Sequence, residues 1–131
     1  MASILDANVL VELAQTDRLE ELRVLPTPRV VPDIVDEEMQ PGKARYPEQY
    51  ARYAAALANG VLEVRVLLGT TAYDEYLQLR RIRTSPAHNR GEDACVALAI
   101  TIPGSVVYTN ETRVAKACLA LGDPARVRRF P

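Results

Sequence analysis

The 131-residue sequence contains a single histidine, no tryptophan and only two cysteines. A zinc site built on histidines, or a Ser-His-Asp triad, would depend on His88 alone. Cys95 and Cys118 lie far apart, without a CxxC spacing and within apolar helical patterns, so we expect both to be buried thiols. The GxGxxG and GxxxxGK[ST] patterns that hold phosphates after a strand are also absent. Among the common types of functional site, one built from carboxylate side chains remains possible.

Neither sign of charge dominates, and no long apolar run occurs. Sixteen Lys+Arg against seventeen Asp+Glu give a net charge of -1, so a polyanion would have to meet a local basic patch. No window approaches the roughly 18 apolar residues of a membrane span, and MASILDANVL has no basic region before an apolar run. We therefore expect a soluble, cytoplasmic protein without membrane contact. The 48% of apolar residues is enough for a core and favours one domain over residues 1–131.

Apolar spacing predicts strands that alternate with helices. Strands are predicted at residues 3–5, 30–31, 61–66 and 106–108. Helices are predicted after Asp6, in a short segment capped by Asp17, from residue 32 to before Pro41, and at 47–58, 70–83, 92–100 and 112–121. Loops are predicted before Pro47 and at residues 84–90. This alternation implies an α/β fold, a three-layer α/β/α sandwich with a mostly parallel central sheet.

Four acidic residues occupy or adjoin the carboxyl ends of the predicted strands, where functional groups gather in open parallel sheets. Asp6 ends the first strand, Glu38 lies in the helix after the second, Glu92 begins the helix before the fourth, and Glu111 follows the fourth. Crowding like charges costs on the order of 1 kcal/mol per close pair, a penalty that a cation removes. Oxygen ligands from separated segments suit Mg²⁺ or Mn²⁺.

The order and surroundings of these acids resemble those of PIN-domain ribonucleases, the VapC-like toxin type included, over most of the chain. Residues 4–8 (ILDAN) resemble the family's opening strand with its metal-binding Asp. Residues 31–39 (VPDIVDEEM) resemble the second motif and select Glu38. Residues 91–99 (GEDACVALA) resemble the third motif and favour Glu92, with Asp93 in reserve. Residues 107–111 (VYTNE) resemble the last motif, where Glu111 replaces the commoner Asp.

The resemblance implies a PIN-like sandwich and Mg²⁺- or Mn²⁺-dependent hydrolysis of RNA phosphodiester bonds. The implied catalytic and metal-binding residues are Asp6, Glu38, Glu92 and Glu111, with Asn8 and Thr109 as orienting neighbours. Many small members of the family are toxins silenced by an antitoxin, and a homodimer through helical faces is expected. The longer side chain of Glu111 motivates an alternative, a catalytically inactive PIN-like module that binds RNA or protein. A nuclease acting on DNA is a third possibility.

Each acid also has an ordinary structural interpretation. Asp6 could be a helix N-cap, worth about 1 kcal/mol. Glu92 and Glu111 could be first-turn acids stabilised by the helix dipole, and Glu38 could be a solvated surface residue. The joint pattern of four motifs in order favours the metal site over these separate explanations.

Arginine and tyrosine provide candidate contacts to a nucleic acid. The planar guanidinium suits phosphate, which makes a set of arginines candidate RNA ligands: Arg80, Arg81, Arg83, Arg90 and Arg128. A solvated helix face or a bias towards arginine, which also supplies Arg126 and Arg129, explains them as well. His88 could touch a phosphate or be solvated. The tyrosines at 46, 50, 53, 73 and 76 could stack on bases, or form core or a subunit interface.

Overall fold

A five-stranded parallel sheet forms the centre of the fold. The computed structural model describes residues 1–81, 90–110 and 126–130. The described strands are β1 (Ser3–Leu5), β2 (Arg29–Pro32), β3 (Glu63–Arg65), β4 (Val106–Tyr108) and β5 (Val127–Arg128). They lie in the order β3-β2-β1-β4-β5, and each neighbouring pair is parallel. In the central strand β1, Ile4 is level with Val30 of β2 and Val107 of β4. All five carboxyl ends therefore meet at one edge of the sheet.

Helices connect these strands and cover the sheet. The described helices are α1 (Ala7–Gln15), a 3₁₀ helix (Leu19–Val24), α2 (Asp33–Met39), α3 (Gly42–Arg45), α4 (Pro47–Ala58), α5 (Thr71–Arg81) and α6 (Arg90–Thr101). Helix α1 packs against α4, and α5 packs along α6. All residues of β1 and β4 are buried, as in parallel strands covered on both faces. The α/β/α sandwich with a parallel sheet is thus confirmed. None of the described helices combines the length and apolar character needed to cross a bilayer.

Helix α6 is the most deeply buried helix that the structure describes. Nine consecutive residues, 91–99, are buried, and most of them are small, which lets the helix lie close to β1, β2 and β4 with α2 and α5 against it. Cys95 is a fully buried free thiol, which confirms the prediction for this cysteine; Cys118 lies outside the described residues. Because α6 has no exposed face along this stretch, its amino end is held firmly in the sandwich.

Most predicted elements are confirmed, with the strand over 61–66 shortened to Glu63–Arg65. Three details were wrong. Asp17 does not cap the second short helix: Arg18 is its N-cap residue, and Asp17 lies before it with a left-handed backbone, φ 54°. The polar stretch before Pro47 contains α3, and Arg90 begins α6 instead of ending a loop. The sequence pattern also missed β5, and the predicted helix at 112–121 lies outside the described residues.

Candidate active site

Asp6 lies at the carboxyl end of the central strand and is only 3% exposed. Its Oδ1 accepts a hydrogen bond from the backbone N–H of Ala7 at 2.8 Å, as expected of an N-cap residue on α1. Its Oδ2 accepts a hydrogen bond from the Thr109 hydroxyl at 3.1 Å, across the gap between β1 and β4. Two donors on opposite oxygens fix the orientation of the carboxylate. The N-cap interpretation is therefore correct and does not compete with a role at this edge.

Asn8 connects the start of α1 to the turn after β4. Its side-chain oxygen accepts a hydrogen bond from the backbone N–H of Asn110 at 3.3 Å, and the Asn110 amide donates to Glu12. Thr109 and Asn110 are thus both fastened to the segment that carries Asp6. Glu111, the next residue along the chain, lies outside the described residues, so its role as a ligand stays a prediction.

Glu38 of α2 meets the first turn of α6 at Gly91. A side chain at position 91 would place its Cβ 1.9 Å from Glu38 Oε1 and 3.1 Å from Val35 Cγ2, so only glycine leaves room for this carboxylate. The Gly91 backbone N–H donates a hydrogen bond to the Glu38 carboxylate. Glycine was not singled out from the sequence, although its position directly before two acids, at the start of a buried helix, was the available signal.

The electrostatics of Glu38 link it to Asp6. Partial burial of its carboxyl and the negative charge of Asp6 raise the pKa of Glu38, while Arg90 and the Gly91 N–H oppose that shift. Glu38 itself lies at the surface, so the burial concerns the side of its carboxyl that faces α6. Neighbouring Glu37 turns outward: its side chain is 67% exposed and lies 3.9 Å from Arg90 Nη2. Of the two adjacent glutamates, Glu38 faces the site.

Glu92 and Asp93 both lie in the first turn of α6 and are both buried, but their surroundings differ. Arg80 of α5 pairs with Asp93, with its Nη1 2.9 Å from Asp93 Oδ2, and the two side chains are only 12% and 1% exposed. Asp93 therefore fastens α6 to α5. Glu92 follows Gly91, the residue that holds Glu38, which keeps Glu92 as the stronger candidate of the two.

The described residues assemble part of the predicted acidic cluster. Asp6 and Glu38 are electrostatically coupled, and Glu92 lies one residue from the backbone that contacts Glu38. In residues 1–81, 90–110 and 126–130, however, no group of three or more Asp, Glu, His or Cys side chains is arranged to hold a metal ion. Carboxylate and amide oxygens are the donors that Mg²⁺ and Mn²⁺ prefer, and two coupled carboxylates gain from a cation between them. Asp6, Glu38 and Glu92 therefore carry the type of oxygen atom that such an ion binds.

The candidate arginines that the structure describes have different surroundings. Arg80 is committed to Asp93, Arg81 is exposed at the end of α5, and Arg128 is exposed on β5. Arg90 is exposed at the start of α6, and its pKa is raised above the usual range by its hydrogen bond with Tyr76 and by the carboxylates of Glu37 and Glu38. Arg83 and His88 lie outside the described residues. Contact of any of these side chains with RNA stays a prediction.

The strand order, the covering helices and the acids at the carboxyl edge define a nuclease-type α/β/α fold. A family model described as a PIN domain matches residues 2–122. The chain therefore belongs to the PIN-domain family, whose members are generally nucleases that use divalent metal ions. No curated protein and no solved structure matches the chain.

Proposed function

We propose that the protein is an endoribonuclease that uses Mg²⁺ or Mn²⁺ to hydrolyse RNA phosphodiester bonds. The observation that carries the proposal is the meeting of Asp6, Glu38 and the amino end of α6 at the carboxyl edge of the sheet. Each of the two carboxylates raises the free energy of ionising the other, and a cation bound between them would remove that cost. Such a pair suits a cation-dependent hydrolase.

Asp6 and Glu92 would hold the ion directly, Glu38 directly or through water, and Glu111 would complete the set. When bound, the ion would polarise a phosphoryl oxygen and lower the pKa of water, which supplies hydroxide without a histidine base. Thr109 fixes one oxygen of Asp6, and Asn8 fixes the turn after β4, so both position the acids. Glu38 holds a proton more readily than an ordinary glutamate, so protons and metal compete there.

Cleavage of short fluorescent oligonucleotides tests this function. The chelator-treated protein should be inactive and should regain activity with Mn²⁺ or Mg²⁺, and Asp6→Asn and Glu38→Gln should each abolish most of it. Glu37→Gln is the matched control, because Glu37 is the same residue type, one position away, with its side chain directed outward. Equal losses for Glu37→Gln and Glu38→Gln would refute the assignment. Comparing the cleavage of single-stranded RNA and DNA of the same sequence determines which of the two is the substrate.

A second candidate is a PIN-like module that binds RNA or protein without hydrolysis. It is favoured by the absence of a three-ligand group from the described residues and by glutamate at position 111. Such a module would bind RNA equally well with and without Mn²⁺, and Asp6→Asn would leave its affinity unchanged. Calorimetric titration with Mn²⁺ in the absence of RNA distinguishes the two, since the nuclease should release heat that Asp6→Asn removes.

We propose that the protein is the toxin of a toxin–antitoxin pair and that it acts in the cytoplasm as a homodimer. This role rests on the family, many small members of which are toxins. Induced expression should arrest growth, and expression of the Asp6→Asn variant should not. The edge strand β3 and the loop after it leave Val64, Val66 and Leu68 exposed, at 38%, 56% and 68%, which supports a protein partner at that edge. A monomer in sedimentation experiments would contradict the homodimer.

A further inference from the structure

A groove opens beside Glu38, between α1 and the segment formed by α3 and the start of α4. Its volume is about 360 Å³, within the usual range for small-ligand pockets. Glu38 and Met39 lie at the end of α2, Tyr46 and Tyr50 line the groove from the α4 side, and more apolar than polar surface faces it. Because Glu38 belongs both to this groove and to the acidic site, a ligand in the groove would lie directly beside that site.

The rim of the groove presents an exposed aromatic ring. Tyr46 is 59% exposed, whereas Tyr53 and Tyr76 are buried in the core. Tyr50 is held in place: its hydroxyl donates to Gln40 Oε1 at 3.4 Å, and Lys43 Nζ lies 5.1 Å from the centre of its ring. Of the five tyrosines considered as stacking candidates, Tyr46 therefore has both the exposure and the place to receive a flat ligand.

Cations and amides lie on the segments that form the groove: Arg45 lines it, and Lys43 lies over the ring of Tyr50. Lys43 and Arg45 are exposed on α3, although the whole chain carries a net charge of only -1. Gln15 and Gln49 line the groove with amides that can both donate and accept hydrogen bonds. The same Gln15, Tyr46 and Gln49 line a second, more open depression that continues towards Arg52. The two depressions therefore adjoin each other; the first is lined by Glu38, and the second also by Glu48.

We propose that this groove holds an unpaired nucleobase of the RNA strand next to the bond that is cut, with Tyr46 as its stacking platform. The inference rests on the proposed ribonuclease function and adds a subsite to it. Proteins that bind single strands without strict sequence preference stack the bases on aromatic side chains in a basic groove. Each stacked base contributes about 1–3 kcal/mol to the binding free energy. The apolar lining would accept the face of a base and the amides would bond to its edge. Arg45, which lines the groove, and Lys43, which lies over the Tyr50 ring, would contact the adjoining phosphates.

Photo-crosslinking with 5-iodouridine RNA in chelator tests the subsite without requiring cleavage. Crosslinks should map to Tyr46 or Tyr50, and fluorescence anisotropy should show that Tyr46→Ala weakens RNA binding about 5- to 150-fold, the range that corresponds to the loss of one stacked base. Tyr46→Phe, which keeps the ring, should bind almost as well as the wild type. Val24→Ala removes an exposed apolar side chain outside the groove and is the control.

The outcomes separate the subsite from the catalytic proposal. Crosslinks at Tyr46 without cleavage in Mn²⁺ would support the subsite and refute hydrolysis. Cleavage with unchanged affinity for Tyr46→Ala, or crosslinks confined to other surfaces, would overturn the subsite and leave the nuclease standing. If Tyr46→Ala dissociates a dimer and leaves RNA affinity unchanged, the groove is a protein contact and the base subsite is refuted.

Discussion

Replacing Gly91 by alanine should disturb the acidic site while changing stability little. The new Cβ would meet Glu38 Oε1 at 1.9 Å, its Cδ at 3.0 Å and Val35 Cγ2 at 3.1 Å. Glu38 is a flexible surface residue, so it will move before the core residue Val35 does. The displaced carboxylate loses the Gly91 N–H and its place beside Asp6. Gly91→Ala should therefore behave as an indirect Glu38 mutation.

The magnitude follows from two opposing effects. Alanine in place of helical glycine stabilises by roughly 0.5–1 kcal/mol. A lost hydrogen bond to a charged group costs about 1.5–3 kcal/mol in buried sites, and less here because water rehydrates the displaced carboxylate and its repulsion by Asp6 is relieved. The free energy of unfolding of Gly91→Ala should therefore lie within about 1 kcal/mol of the wild type. Mn²⁺ affinity should fall about 10- to 100-fold, as when support for metal ligands is removed.

Urea unfolding of a double-mutant cycle checks the geometry without metal. In a Glu38→Ala background there is no carboxylate to displace, so Gly91→Ala should be stabilising there and the cycle should show coupling of about 1–2 kcal/mol. Gly42→Ala is the control, since its Cβ would lie an ordinary 3.9 Å from Tyr50 Cβ. The same effect of Gly91→Ala in both backgrounds, or unchanged Mn²⁺ affinity, would refute the reasoning.

Three further predictions follow from the charges. Because the pKa of Glu38 is raised, its ionisation costs stability above the ordinary glutamate pKa and nothing below it. Glu38→Gln should therefore stabilise the metal-free protein at about pH 7 and not at about pH 3.5, and an equal effect in urea titrations at both pH values would contradict this. Arg80→Met should cost about 3 kcal/mol in thermal or urea unfolding because the buried Asp93 carboxylate loses its ion pair with Arg80, and adding Asp93→Leu should recover most of it; additive losses would argue against the pair. Arg81→Ala and Arg128→Ala should each lower the salt slope of RNA binding by about 1, and unchanged slopes would remove these residues from the RNA surface.

Most strands and helices of the sandwich could be predicted because the residues that specify each of them are close together in the sequence. The buried strand before Asp6, the proline and acid that open α2, and the alanine-rich α4 each carry their signal within a few residues. Strand β5 was missed because it is only two residues long, and it forms by pairing with β4 far away in the sequence. Pairing at such a distance leaves no periodicity to detect.

The contacts that support the candidate acids could not be predicted from the sequence. Asp6 and Glu38 were proposed from their places near the strand ends and from the family resemblance, and their roles as ligands stay predictions. Sequence reasoning did not reveal that Gly91 provides the space for Glu38, or that Arg80 is occupied by Asp93. Each is a contact between residues on different helices, decided by how α6 packs against α2 and α5. The preference for Glu92, with Asp93 in reserve, stays a prediction.

Arg126, before β5, gives the acidic site a remote support. Its guanidinium donates to the carbonyls of Ser105 and Ile102 at 3.0 and 3.1 Å, and to that of Ala99, all at the carboxyl end of α6. Helix α6 is about 18 Å long, with Gly91 near one end and Arg126 at the other. These hydrogen bonds oppose sliding of α6 along its axis. Loosening them should shift the register of α6 against Glu38, so inactivating lesions can arise well away from every carboxylate.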